Sequence, residues 1–144
     1  MQNTPEIFVD TWGWLALGHR ADDHHQAVRS LYQQLRQNQT PIHTSDYVLD
    51  ELISLLFRRE RFSAATQFVE GIFASAAQGH LQIHPVTSQH FVQAWQLRQR
   101  FQDKTPISFT DLTSMVIMQE QGLLSVLTQD DHFLQVGMGF IQVP

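Results

Sequence analysis

Cysteine is absent from this 144-residue chain. That excludes disulfides and thiolate metal sites, so any metal must be held by oxygen or imidazole. Positive charge is scarce: 9 Lys and Arg stand against 14 Asp and Glu, a net charge of −5 with the eight histidines counted neutral. General nucleic-acid binders carry a basic surplus that displaces counterions from phosphates, so the balance argues mildly against one. It is also the balance expected where acids are concentrated to hold a cation. No apolar run approaches the roughly 20 residues of a membrane-spanning helix. The segment Met1 to Glu6 has neither the basic start nor the apolar core of a secretory signal. A cytoplasmic protein without a membrane partner is therefore expected. The seven glycines form no phosphate-cradling loop, and no Ser–His–acid order suggests a hydrolase triad.

What remains reads as a folded chain, 42% hydrophobic and 16% charged. Its length suits one domain over residues 1–144. Ile7-Phe8-Val9 is a short β-prone run ending at Asp10. A helix is expected from about Asp22 to Gln37, with Ala27, Val28, Leu31 and Leu35 at helical spacing. Pro41-Ile42-His43 suggests a second strand, after which Thr44 or Ser45 can cap a helix to about Phe57. Further helices are expected over Phe62 to Ala77, from Thr87 or Ser88 to about Phe101, and from Ser108 to Gly122. Leu81 to His84 and Leu123 to Leu127 read as strands, Asp130 to Val136 as a short helix, and Phe140 to Val143 as an edge strand. Short apolar strands alternating with longer helices imply an α/β fold: a three-layer α/β/α, Rossmann-like domain around a mostly parallel sheet of four to five strands. Right-handed crossovers then bring the strands' carboxyl ends to one rim, where such sheets bind ligands.

Several acids fall at that rim. Asp10 directly follows the first strand and Asp130 lies three residues past the fourth; either alone reads equally as a turn residue or helix cap. Asp111 stands in Ser108-Phe109-Thr110-Asp111, which resembles a capping box. Met115 and Met118 follow it at i+4 and i+7, so Asp111 heads an apolar stripe, with Thr113 and Glu120 on the opposite, polar side. A carboxylate pointing to the core costs several kcal/mol unless paired or metal-bound, roughly. Asp50 and Glu51 flank the apolar arc of Val48, Leu49, Leu52, Ile53, Leu55 and Leu56, and the helical wheel does not choose between them.

Four segments together resemble the PIN domain, and most nearly the VapC-like ribonuclease toxins of toxin–antitoxin pairs. They are Val9-Asp10-Thr11, Thr44-Ser45-Asp46-Tyr47-Val48-Leu49-Asp50-Glu51-Leu52, Ser108-Phe109-Thr110-Asp111, and Leu127-Thr128-Gln129-Asp130-Asp131-His132-Phe133. The likeness spans essentially the whole chain. It implies four site acids, Asp10, Glu51, Asp111 and Asp130, and so selects Glu51 over Asp50 and Asp130 over Asp131. Thr11 and Thr128 match hydroxyl positions near the metal, while Trp12 departs from the small residue common there. The resemblance implies a Mg²⁺- or Mn²⁺-dependent ribonuclease, a small antitoxin partner and a homodimer. Asp10, Asp111 and Asp130 would hold the ion; Glu51 would bind a second ion or orient the attacking water.

Two clusters of cations, Arg58, Arg59 and Arg61, and Arg98, Arg100 and Lys104, are solvated helix ends in the simplest reading. The first cluster and Lys104 are also candidates to hold the RNA backbone. Asp22-Asp23-His24-His25, with His19, is a rival metal site, although Asp22 or Asp23 is more simply an N-cap. Two alternative functions are a non-catalytic PIN-fold module that binds protein or RNA, and a PIN nuclease of RNA processing without an antitoxin.

Overall fold

Five runs of three or four residues, rich in Ile, Val and Phe, assemble into one sheet. The computed structural model describes residues 5–144; residues 1–4, part of the segment read for a secretory signal, lie outside the described residues. The order is β1 (Ile7–Val9), α1 (Thr11–Gly18), α2 (His25–Gln37), β2 (Ile42–Ser45), α3 (Asp46–Arg59), α4 (Phe62–Ala77), β3 (Gln82–His84), α5 (Ser88–Arg100), α6 (Phe109–Gln121), β4 (Ser125–Leu127), α7 (His132–Gln135) and β5 (Ile141–Val143).

The strands line up as β3-β2-β1-β4-β5, every neighbouring pair parallel. The sheet is thus wholly parallel and five-stranded, with helices flanking it and β5 at one edge. Central β1 is buried throughout, and Phe8 lies between His43 of β2 and Val126 of β4 in register. Asp10 donates its backbone N–H to Leu127 O at 3.3 Å, so the carboxyl ends of β1 and β4 are stitched at the rim. No helix of the described residues is long and apolar enough to cross a membrane.

Three expectations need correction. Helix α1 was not anticipated: its sequence, Thr-Trp-Gly-Trp-Leu-Ala-Leu-Gly, has no polar face, so it shows no amphipathic period, and residues 11 and 13–16 are buried. Gly13 brings it against the sheet; a Cβ there would fall on the Leu127 side chain and 2.9 Å from the Leu127 carbonyl oxygen. Helix α2 starts at His25, later than Asp22, because Asp22 instead makes a turn, accepting the His24 N–H at 2.8 Å. Finally, α6 has no polar side at Thr113. All residues from Asp111 to Met118 are buried, and Thr113 satisfies its hydroxyl on Thr110 O at 2.7 Å. Helix α6 packs against both α5 and α3, so tertiary contact overrides the wheel. The two wheel positions below Asp111, Met115 and Met118, are wholly buried as expected.

Candidate functional site

Local structure sets the acids at the rim. Asp10 has extended backbone geometry and begins α1, its own C=O accepting the Trp14 N–H at 3.2 Å. Asp111 lies in the first turn of α6, capped by Ser108, whose Oγ accepts the Asp111 N–H at 3.0 Å. The partial positive charge at a helix N-terminus favours an anion in this position. The return half of a capping box is absent: the Asp111 carboxylate accepts a hydrogen bond from His132 Nδ1, 3.1 Å from Oδ2.

Thr128, wholly buried, joins two of the acids. Its hydroxyl donates to Asp10 Oδ2 at 3.0 Å and accepts the Asp130 N–H at 3.0 Å. Asp130 Oδ1 accepts the His132 N–H at 3.0 Å and lies 3.0 Å from His132 Nδ1. Ligating atoms of Asp111, Asp130 and His132 therefore come within 4.8 Å of one another. Asp10 and Glu51 stand outside that tightest set but within electrostatic reach. Burial, then the negative charge of Asp111, pushes the Asp10 carboxyl up to about 8, and Asp130 adds to the push. Burial is also the first cause raising Asp111, where the charges of Asp130 and Glu51 contribute and His132 opposes. The charge of the half-buried Glu51 is thus felt at Asp111, while Asp50 and Asp131 are exposed.

These residues fit a divalent cation. Asp10 Oδ1 and Thr11 Oγ1 are buried without any hydrogen-bond partner, a costly arrangement unless something else satisfies them. Among the described residues no Lys or Arg pairs with any of the four acids. Repulsion is left uncompensated by protein cations, and the donors are carboxylate oxygens with one imidazole, a hard set suited to a divalent ion.

The other candidates are dispersed. His19 pairs with Glu60 at 2.8 Å, His25 bonds Ala16 O at 2.8 Å, and His24 stays beside Asp22 at 3.4 Å, so the rival histidine cluster does not form a common site. Trp12 packs edge-on against His24, ring centroids 5.1 Å apart. Arg58 and Arg59 occupy the last turn of α3, about 10 Å further along the helix axis than Glu51 at the usual rise per residue. Lys104 lies in the loop before α6 and pairs with Asp103 at 2.8 Å. Arg98, by contrast, is structural, donating to the carbonyls of Ile107, Phe101 and Lys104 at 2.6–2.8 Å and so tying down the loop that delivers Asp111. His132 lies inside the Leu127–Phe133 motif but is not one of its acids; its signal in the sequence is its place two residues after Asp130, a spacing that a tight turn can fold onto one side.

The sequence and fold are similar to those of known proteins. The sequence profile of the PIN domain matches residues 7–138. The 23S rRNA-specific endonuclease VapC20 of Mycobacterium tuberculosis is 31% identical over 137 residues, 95% of this chain and 97% of that protein. The crystal structure of VapC20, described as a sarcin-ricin loop cleaving toxin, superposes with a TM-score of 0.78 at 30% identity, covering 96% of this chain and 98% of that one. VapBC2 from Rickettsia felis, bound to a promoter DNA fragment, shares the fold at a TM-score of 0.70 and 17% identity, covering 95% and 96%. The chain belongs to the PIN-domain family and is similar to its VapC endonucleases.

Proposed function

We propose that this protein is a ribonuclease toxin of the VapC type that hydrolyses RNA phosphodiester bonds with Mg²⁺ or Mn²⁺. The observation that carries the reading is the orphaned, buried Asp10 Oδ1 beside the charges of Asp111 and Asp130. Asp10, Asp111 and Asp130 would hold the ion, with Glu51 at the border of the pocket. A bound divalent cation lowers the pKa of the attacking water and offsets negative charge on the scissile phosphate.

The chain's own residues do the rest. Thr128 orients Asp10 by binding Oδ2, which leaves Oδ1 for the centre. Glu51 is available to align the attacking water and accept its proton. The Thr11 hydroxyl is available as a further oxygen at the same end of β1. Lys104, in the loop leading to Asp111, is a candidate contact to the RNA backbone, whereas Arg58, Arg59 and Arg61 would meet RNA only beyond the cut site. A small antitoxin and a second copy of the chain are the proposed protein partners. Exposed apolar surface supports this: Phe91 and Trp95 one turn apart on α5, and Phe62 and Phe73 on α4. So does a cavity of about 520 Å³ lined by Trp14, Leu17, Tyr32, Phe68 and Ile72, away from the acids. The proposed compartment is the cytoplasm, where RNA targets lie.

Purified protein with Mg²⁺ or Mn²⁺ should cleave RNA, and 23S rRNA, the target named for VapC20, is the first to try. Asp10→Asn and Asp111→Asn should each abolish cleavage. Undiminished activity in those variants would overturn the assignment.

A further inference from the structure

Among the described residues His132 is the one side-chain nitrogen clustered with the acids, and the family resemblance gives it no role. Its Nδ1 lies 3.1 Å from Asp111 Oδ2 and 3.0 Å from Asp130 Oδ1, aimed between the two carboxylates. Two local restraints put it there. The His132 backbone N–H is fixed on Asp130 Oδ1, and His132 opens the short helix α7, whose Phe133 is wholly buried as an anchor. The ring nitrogen therefore faces the same space as the Asp111 and Asp130 carboxylates. Independently, the partnerless Oδ1 of the deeply buried Asp10 indicates that something other than protein completes the cluster.

We propose that His132 is a ligand of this centre, supplying an imidazole nitrogen beside carboxylate oxygens and biasing the site from Mg²⁺ toward first-row transition ions. The proposal rests on the metal-dependent reading above. In the metal-free protein the Nδ1–H serves both carboxylates. As a ligand, His132 would present the Nδ1 lone pair, with the ring N–H on Nε2. Mg²⁺ gains little from nitrogen because it favours an all-oxygen shell, whereas transition ions gain from imidazole, in an order that begins with Mn²⁺. The competing role is a plain hydrogen-bond clamp, with the ring holding the carboxylates in place and never touching the ion.

Mn²⁺ alone, added to the metal-stripped full chain, distinguishes these by pulsed EPR. The expected result is ¹⁴N modulation of the bound Mn²⁺ in the parent protein, lost in both His132→Ala and His132→Asn. The preference for Mn²⁺ over Mg²⁺ should fall by about tenfold or more in both variants. Circular dichroism of each variant checks that the fold is kept. Tight Mn²⁺ binding without nitrogen modulation, or modulation that survives in the variants, overturns the ligand role and leaves the metal-dependent reading intact. Failure of the parent to bind Mn²⁺, or equal binding by Asp111→Asn, overturns both.

Discussion

The Thr128 hydroxyl donates to Asp10 Oδ2 at 3.0 Å across 118 residues of sequence. Because the same oxygen accepts the Asp130 N–H, one side chain sets the spacing of two acids. Thr128→Val keeps the shape and deletes both bonds. We expect metal affinity to fall about tenfold, as for lost supporting groups around metal ligands, with a stability loss of about 1 kcal/mol per lost hydrogen bond. Cleavage rates measured against Mn²⁺ concentration check this; an unchanged half-saturation point would show that Thr128 does not support the centre.

Asp10 should make the metal-free protein less stable as pH rises. Burial and the charge of Asp111 raise its carboxyl from 3.8 to about 8 in the folded state. Between those values the folded chain holds a proton that the unfolded chain has released. Stability is thus fully present below 3.8 and declines until about pH 8, by up to about 1.4 kcal/mol per pH unit. Thermal midpoints of the parent and Asp10→Asn, compared without metal from pH 5 to 8.5, isolate the contribution. The parent should lose ground to the variant as pH rises, and Mg²⁺ or Mn²⁺ should restore the parent alone. A constant difference across the range would contradict the burial of an ionised group here.

On the acid side, a second buried pair acts in the opposite sense. His43 Nδ1 and His84 Nε2 lie 2.8 Å apart, a contact that requires one shared proton. Burial, then the neighbouring His43, lowers the His84 pKa from 6.5. Since the unfolded chain takes up that proton first, stability should be complete above pH 6.5 and decline below it. Replacing His84 with Gln should flatten the decline in thermal midpoint between pH 6.5 and 5, relative to the parent. An equally steep decline in both proteins would remove His84 as the cause.

Gly13 tests how closely α1 must approach the sheet. Gly13→Ala places a methyl group against the Leu127 side chain and carbonyl. Overpacking of this kind costs about 2 kcal/mol, against a helix-propensity gain of under about 1 kcal/mol. Because Asp10 begins the same helix, displacement of α1 should also lower cleavage. Denaturant midpoints and activity measured together should both drop; a more stable, fully active variant would show that the contact yields freely.

Elements with a clear period and a capping residue were legible from the chain alone. Ser45, Thr87 and Ser108 each begin a helix with a side-chain hydrogen bond, at or beside the positions expected. Helix α1 was not legible, since an element apolar on every side carries no period. At the site, the stripe of Met115 and Met118 announced that Asp111 faces inward. The choice between Asp50 and Glu51 needed the family resemblance, because the wheel sets both on the border of one apolar arc. His132 was visible in its motif but without direction, as ring orientation follows from the turn at Asp130.

By itself the sequence determined the types of the periodic and capped elements, the absence of thiolate chemistry and the carboxyl-end positions of Asp10 and Asp130, all of which depend on local pattern or composition. Only the tertiary structure decided that Asp111, Asp130 and His132 meet, that the charge of Glu51 is felt at Asp111, and that Arg58 and Arg59 stand apart. Those outcomes depend on how β1, β4, α3 and α6 pack, and local periodicity carries no record of distances between residues far apart in the chain.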